Sequence, residues 1–134
     1  MREQAQFQNK KEQEENPAEK REFTERAYNG LMADVPLDAP ISEKGELRQQ
    51  EREQMAKGIL TNAFILLDNY KYLTPEERTD FLLREYLILR EAKFINNLTS
   101  GQIDWEDVFK NLFKDRVPSE DKQEAKRRRL KEAK

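Results

Sequence analysis

The chain has 134 residues, of which 39% are charged and 36% hydrophobic, and its mean hydropathy is −1.08, so the whole length cannot be one well-buried globule of ordinary composition. The net charge of −2 gives no general attraction to nucleic acid or anionic membranes. The absence of cysteine and histidine excludes a disulfide framework, a thiolate nucleophile, the commonest metal ligand and the usual neutral-pH base.

The first predicted element begins at Pro17. Residues 1–16 have three apolar side chains, which cannot offset an ordering cost of roughly 1–2 kcal/mol per residue, so we predict a lead that is disordered or becomes helical only when bound. Asn16 as a cap and proline in the first turn predict a helix start, and Gly30 predicts the helix end. The resulting helix, residues 17–29, has a thin apolar side and needs a surface to lie on.

Residues 31–41 form a proline-stiffened arm. Pro36 and Pro40 push the residues before them into extended geometry, and the segment is rich in large apolar side chains. Two interpretations stay open: the arm packs on this protein's own helices, or it docks on a partner protein. The candidate partner-binding residues for the second interpretation are Phe23, Ala27, Leu31, Val35, Leu37 and Ile41.

A second helix is predicted from a cap at Ser42 to about Tyr70. Its first half is almost wholly polar and is expected to be solvated. Its second half has apolar residues at i, i+4 and i+8 and is expected to lie on the core. Gly58 falls inside this half, where glycine costs about 1 kcal/mol relative to alanine. We interpret it as a site of close helix approach, with a bend in the helix as the alternative.

The richest apolar pattern lies in residues 73–98. A capping box that begins at Thr74, with proline in the first turn, predicts the helix start. Beyond that turn, apolar side chains cover more than half of the circumference, which predicts one helix with neighbours on at least two sides. A polar strip through Glu77, Arg84 and Glu91 is expected to be exposed, so that removing Arg84 changes stability by under about 1 kcal/mol.

A third helix is predicted over residues 104–116, with Asp104 as its cap. Its apolar side chains recur at i, i+3, i+4, i+7 and i+8, as in an amphipathic helix that faces the core: Trp105, Val108, Phe109, Leu112 and Phe113. For the aromatic residues Trp105, Phe109 and Phe113, an exposed docking patch is the alternative. Its acids suggest a divalent-cation site as an alternative, but acids in a first turn are what capping and the helix dipole already require. We therefore predict no metal ligand and no cofactor.

Residues 118–134 form a charged tail with Leu130 as its single large apolar side chain. We expect a solvated terminus or, alternatively, a segment that neutralises the phosphates of a nucleic acid. Acids dilute the charge and no aromatic residue is interleaved for base stacking, which weakens the second interpretation. The candidate nucleic-acid-binding residues are Lys126, Arg127, Arg128, Arg129 and Lys131.

Together these patterns predict an all-α protein, a small three- to four-helix bundle with N- and C-terminal extensions that are disordered or ordered by a partner. The predicted organisation is a disordered lead over 1–16, a short helix plus arm over 17–41, a helical bundle over 42–117 and a charged basic tail over 118–134. The wide apolar surface of the 73–98 helix invites a fourth helix, either from the arm or from a second copy of the chain. A homodimer is therefore one prediction.

The sequence contains no constellation of catalytic residues. Paired carboxylates such as Glu76 and Glu77 are neighbours in the chain rather than partners across a cleft. We therefore predict a helical adaptor or regulatory subunit, not an enzyme, that binds another protein through its arm or an apolar groove; the alternative is a nucleic-acid-associated accessory protein that uses the basic tail. No run approaches the roughly 18 apolar residues of a membrane span, and the first residues lack the apolar core of a signal peptide, so a cytoplasmic location without membrane contact is expected.

Overall fold

The computed structural model of the protein describes residues 16–37, 48–99 and 101–132. These residues form six α-helices and one 3₁₀ turn: α1 (Pro17–Asp34), α2 (Gln49–Asp68), the 3₁₀ turn (Tyr70–Tyr72), α3 (Pro75–Leu82), α4 (Glu85–Thr99), α5 (Trp105–Arg116) and α6 (Ser119–Glu132). The prediction of an all-helical fold is confirmed for the described residues. The predicted count of three to four helices is too low.

Helix α1 begins where the sequence predicts and ends later. The Asn16 side chain accepts hydrogen bonds from the amides two and three positions ahead, at 3.0 and 3.3 Å. The predicted end at Gly30 is wrong, because the helix continues to Asp34. Val35 leaves helical geometry, with ψ of 65°, because Pro36 disfavours the helical region for the residue before it. Gly30 lies against α2, where an added Cβ would be 2.9 Å from the side-chain nitrogen of Asn62.

Two polar links fasten α1 to α3 and the turn before it. The Arg21 guanidinium donates to both carboxylate oxygens of Glu77, at 2.6 and 3.0 Å, and to the Tyr72 carbonyl at 2.8 Å. The Tyr28 hydroxyl donates to Asp80 at 3.0 Å, and burial, together with this bond, raises the pKa of Tyr28 to about 12. The contact between Arg21 and Glu77 is bidentate and charge-assisted, so it fixes the orientation of the two helices as well as their distance.

Helix α2 begins at Gln49, later than predicted, because Arg48 before it has extended backbone geometry, with φ of −66° and ψ of 157°. Arg48 occupies the cap position without a side-chain hydrogen bond to the helix. The predicted cap, Ser42, lies outside the described residues. The interpretation of Gly58 as a close-approach site is wrong, because no atom of another described element lies within 4 Å of a Cβ placed on it. Gly58 is therefore an interior helix position with open space beside it.

The predicted single helix over 73–98 is two helices, α3 and α4. At the break, the Arg84 amide donates to the Phe81 carbonyl at 3.0 Å, which is one residue short of α-helical spacing. Residues 81–83 are all buried, although three consecutive positions spread over about 200° of a straight helix. The break lets α3 bury these residues beside α1 and α6, while α4 packs against α2 and α5.

Two predicted caps are confirmed. The Glu77 amide donates to the Thr74 hydroxyl at 3.2 Å and the Thr74 amide donates to the Glu77 carboxylate at 2.9 Å, which completes a capping box. The Asp104 carboxylate accepts from the Asp107 amide at 3.1 Å. The third predicted helix therefore appears as α5.

Residues 119–132 form a helix, α6, which contacts the rest of the protein although a solvated terminus was expected. Ala125 is buried, and Asp121 accepts a 2.7 Å hydrogen bond from the hydroxyl of Tyr70. Helix α6 lies along α3. A small residue at position 125 permits this approach, which a search for large apolar side chains does not detect.

All six helices contribute to one apolar core. Helix α2 packs against α1, α4 and α5, and the rings of Phe81 and Phe113 join α3 to α5 with centroids 5.3 Å apart. The described parts of the predicted extensions, residues 17–41 and 118–134, thus belong to the same core as the bundle. In the part of the chain that the structure describes, no helix is both long and apolar enough to cross a membrane.

Candidate interaction site

An open apolar groove lies between α2, α4 and α5. It has a volume of about 610 Å³, which is within the usual range for binding sites of roughly 300–1,000 Å³. Phe64 in its wall is 51% exposed although it is a large apolar side chain. We call this surface the interaction groove, and its lining residues are Lys57, Leu60, Thr61, Phe64, Ile65, Ile95, Thr99, Trp105, Val108 and Phe109.

Asn96 sets the corner at which α5 enters the groove. Its side-chain oxygen accepts from the Trp105 amide at 2.7 Å, and its side-chain nitrogen donates to the Asp104 carboxylate at 2.8 Å. The first turn of α5 is therefore held against the last part of α4. This places Trp105 and Val108 on the groove, while Phe109 turns its ring into the core.

The polar groups of the groove are few. Thr61 and Thr99 donate their hydroxyls to backbone carbonyls of their own helices, at 2.8 and 3.0 Å. Among the ten described residues that line the groove, Lys57 is the only charged one, and it pairs with Glu53 at 3.1 Å in a partly exposed contact. The groove thus offers apolar contact area with one cationic group at its edge.

Most of the predicted partner-binding residues pack in this protein's own core. Ala27, Leu31 and Val35 are buried in the core, and Leu37 packs partly against it. Phe23 remains 42% exposed, and Ile41 lies outside the described residues. Of the two interpretations of the arm, the contacts favour packing on this protein's own helices.

Comparison with protein-family models, curated proteins and solved structures finds no match to this chain. Its function is therefore inferred from the shape, burial and charge of its own surfaces.

The predicted nucleic-acid-binding residues lie on α6 and all are exposed: Lys126, Arg127, Arg128, Arg129 and Lys131. Glu124 pairs with Arg127 at 3.1 Å and with Arg128 at 3.6 Å. Arg129 makes different contacts, because its guanidinium lies 5.9 Å from the ring centroid of Tyr86 and donates a long 3.4 Å bond to the Leu82 carbonyl. The fold therefore brings to the basic helix an aromatic ring that is 43 positions away in sequence.

Two of the acids considered for a metal site, Asp104 and Glu106, have structural partners. Asp104 caps α5 and also accepts a hydrogen bond from Asn96. The hydrogen bonds from the Asp107 amide and from the Asn96 side chain lower the pKa of Asp104. Glu106 lies 4.0 Å from Lys110. In the described ranges no group of three or more acidic, cysteine or histidine side chains is arranged to hold a metal ion.

Of the residues in the interaction groove, only Trp105 and Phe109 were suggested by the sequence, as part of the alternative docking patch. One signal was present, because the apolar residues of α2 occupy more of its circumference than one buried face requires. Ile59, Ala63 and Leu66 are fully buried on one side, whereas Phe64 and Ile65 extend the apolar surface beyond it. Such an excess indicates a second apolar contact, although it does not specify what makes it.

Proposed function

We propose that the protein is a non-enzymatic interaction module, an adaptor or regulatory subunit, that binds an amphipathic helix of another protein in the interaction groove. The observation that supports the proposal is the groove itself, an apolar surface with Phe64 half exposed. Contiguous exposed apolar surface with polar residues at its rim is typical of protein–protein interaction sites.

The shape of the groove favours a helix as the occupant. Its α2 wall, from Lys57 to Ile65, rises about 12 Å at 1.5 Å per residue. That length corresponds to about two turns of an incoming helix, whose side chains at i, i+3, i+4 and i+7 would lie between the α2 and α5 walls. Ridge-into-groove packing and helix-in-groove recognition both use this geometry.

The charge at the rim supports an acidic residue on the partner. Lys57 is partly exposed and its contact with Glu53 is a surface ion pair, which contributes roughly 0–1 kcal/mol. A carboxylate on the incoming helix can therefore compete for the ammonium group at little cost. We propose that the bound helix has Asp or Glu beside its apolar stripe.

Selection of helical peptides tests this proposal. A displayed library of tryptophan-free helical peptides is selected on the full chain, and binding is followed through Trp105, the only tryptophan in the sequence. We expect enriched peptides to share an apolar stripe and an acid, and to shift the Trp105 emission. Phe64→Asp should weaken their binding about tenfold or more, because a buried Phe contributes about 1.5–3 kcal/mol.

Phe23→Asp is the matched control, since Phe23 is a similarly exposed phenylalanine on α1. Circular dichroism verifies that both variants keep the helical fold, and we expect Phe23→Asp to leave peptide affinity unchanged. The proposal fails if no peptide is enriched, or if Phe23→Asp weakens binding and Phe64→Asp does not. If Phe64→Asp converts a dimer to a monomer in sedimentation, the occupant is a second copy of the chain and the partner proposal is wrong.

A second candidate function is binding of single-stranded nucleic acid by α6. The observation that favours it is the half-exposed ring of Tyr86 beside Arg129. An aromatic face next to cations suits single strands, because a base stacks on the ring while the phosphates contact the basic side chains. The aromatic residue that is missing from the basic run in sequence is thus supplied by α4.

Fluorescence anisotropy with a labelled oligothymidylate at low salt tests this candidate. We expect Tyr86→Ala to weaken binding about tenfold, and Arg127→Gln to reduce the slope of log affinity against log salt. Point substitutions are preferable to deletion of 119–134, because α6 contributes Ala125 to the core. Phe64→Asp serves as the control that should bind normally, and lack of binding by the intact chain eliminates this candidate.

A further inference from the structure

A second cleft, of about 340 Å³, lies where α2, the 3₁₀ turn, α3 and α5 meet. Three cationic side chains from three different elements line it: Lys71 from the 3₁₀ turn, Arg78 from α3 and Arg116 from α5. Asp68 is the one carboxylate among its described lining residues. Three positive groups that share one cleft with a single negative group repel one another, and a bound anion relieves that repulsion.

The contacts of Asp68 leave most of this positive charge uncompensated. Asp68 lies 3.3 Å from Arg116, and both side chains are about half exposed, so the pair is weak and can exchange. Asp121 accepts a hydrogen bond from the hydroxyl of Tyr70 at 2.7 Å and is not part of the lining.

Arg78 is held in position while part of its hydrogen-bonding capacity stays unused. Its guanidinium lies 5.0 Å from the ring centroid of Tyr70, and one terminal nitrogen donates a long 3.4 Å bond to the Lys71 carbonyl. Its Nε is buried and has no hydrogen-bond partner among the described residues. A planar guanidinium fixed over an aromatic ring is a preorganised donor for an oxyanion.

We propose that this cleft binds a small phosphate monoester. Arg78, Arg116 and Lys71 contact the phosphate group, and Asp68 is displaced from Arg116 when the ligand binds. The cleft is larger than a phosphate ion requires, and the exposed Pro118 gives it an apolar wall, whereas Leu67, which also lines it, is buried. The organic part of the ester lies on that wall.

Calorimetric titration of the full chain tests the proposal with two probes, phenyl phosphate and inorganic phosphate. We expect phenyl phosphate to bind more tightly, because only the ester uses the apolar wall. Lys71→Gln and Arg116→Gln should each weaken phenyl phosphate binding about tenfold, as loss of a charge-assisted contact of about 1.4 kcal/mol predicts. Both side chains are exposed, so neither substitution should disturb the fold.

Lys93→Gln is the control, because Lys93 is an exposed lysine on α4 that does not line the cleft. Equal weakening by Lys93→Gln would show that general surface charge attracts the anion, and would overturn the proposal. Failure of phenyl phosphate to bind the intact chain would also overturn it. Equal affinity for both probes would refute the ester and leave a site for the free ion only.

Discussion

Arg84 joins two parts of the chain that no local pattern connects. Its Nε donates to the Val35 carbonyl at 2.7 Å, and a terminal nitrogen donates to the Asp80 carbonyl at 2.7 Å. The first bond satisfies a carbonyl just beyond the end of α1, and the second satisfies one at the end of α3. Arg84 therefore stabilises the break between α3 and α4 and the end of α1 together.

The first prediction is that Arg84→Ala is destabilising by about 2–3 kcal/mol, since it leaves two partly buried carbonyls without a charged donor. This loss is larger than the change of less than about 1 kcal/mol that the sequence predicts for Arg84 as an exposed residue. Urea denaturation followed by circular dichroism gives the free energy of unfolding. Arg26→Ala, at an exposed position of α1, is the control and should change it by less than about 0.5 kcal/mol. Equal losses in the two variants would refute the role assigned to Arg84.

The second prediction concerns Glu91, which is 1% exposed. Its carboxylate lies 2.6 Å from Arg52, whose guanidinium is also 3.9 Å from the ring centroid of Phe94. Glu91→Gln should cost about 3–5 kcal/mol in unfolding free energy, because the Arg52 cation stays largely buried without its counter-charge. Thermal and urea unfolding measure the loss.

The double variant Arg52→Met with Glu91→Leu tests whether the ion pair itself stabilises the fold. One nitrogen of Arg52 and one oxygen of Glu91 are buried without a hydrogen-bond partner in the described part of the chain, so the pair does not recover its full desolvation cost. We expect the double variant to be within about 1 kcal/mol of the original chain or more stable. A loss at least as large as that of Glu91→Gln alone would contradict this account.

At the scale of the helices, the two interior glycines have opposite surroundings. The sequence predicted a helix end at Gly30 and a close contact at Gly58, and the structure reverses these assignments. Gly30 contacts Asn62 of α2, whereas Gly58 has open space beside it. A glycine inside a helical pattern indicates that something is unusual there, but the neighbour that explains it belongs to another element.

The third prediction follows from that difference. Gly58→Ala should stabilise the protein by about 0.5–1 kcal/mol, because alanine restricts the unfolded chain and meets no obstacle in the helix. Gly30→Ala has the same gain in helix propensity but must move the Asn62 side chain, so its net effect should be smaller or destabilising. Thermal unfolding of both variants under the same conditions shows which substitution stabilises the protein more. A larger gain for Gly30→Ala would contradict the close packing of α1 on α2 at this position.

The split of the predicted 73–98 helix has a similar cause. Its start was predictable, because the Thr74–Glu77 capping box is local in sequence. Its interruption was not, because it depends on α6 lying along α3 and on Arg84 reaching the end of α1. The prediction of an exposed polar strip through Glu77, Arg84 and Glu91 is wrong, because Glu91 is buried. Each of the three residues contacts another element, through Arg21, Val35 or Arg52.

For the whole molecule, the all-helical class and the starts of α1, α3 and α5 could be predicted because periodicity and capping are properties of neighbouring residues. The interaction groove and the 340 Å³ cleft could not, because each is formed where three or more elements meet. Lys71, Arg78 and Arg116 illustrate this: they are separated by up to 45 positions in sequence, and only the folded arrangement of the 3₁₀ turn, α3 and α5 brings them to one cleft.

The pH dependence of stability is also a property of the whole molecule. The chain contains no histidine or cysteine, so no side chain with an ordinary pKa between about 5 and 8 can change the free energy of unfolding in that window. Hydrogen bonds from Arg21 are the main cause that holds the pKa of Glu77 below its usual value. The Glu77 contribution is therefore present above about pH 4.5 and is lost as the pH falls through the lowered folded-state pKa.

Glu85 has the opposite effect from Glu77 on the pH dependence of stability. Its half-buried carboxyl has a raised pKa because of burial, so ionised Glu85 costs stability at neutral pH. That cost is removed as the pH falls and the carboxyl is protonated. The two glutamates therefore give a matched pair of variants with opposite expected effects on the same acid limb.

The fourth prediction is that stability stays level from about pH 6 to about pH 8 and then falls in acid. Glu77→Gln should lower the neutral free energy of unfolding by about 1 kcal/mol, a modest value because Arg21 is 34% exposed and its charge is partly screened, and should flatten the acid fall. Glu85→Gln should raise neutral stability and steepen that fall, because the variant lacks the relief that protonation gives to the original side chain. Urea unfolding at half-unit pH intervals measures all three chains. If the acid limb keeps the same slope in Glu77→Gln, the Arg21–Glu77 contact does not contribute to folding stability, and α1 is held to the bundle by its apolar residues alone.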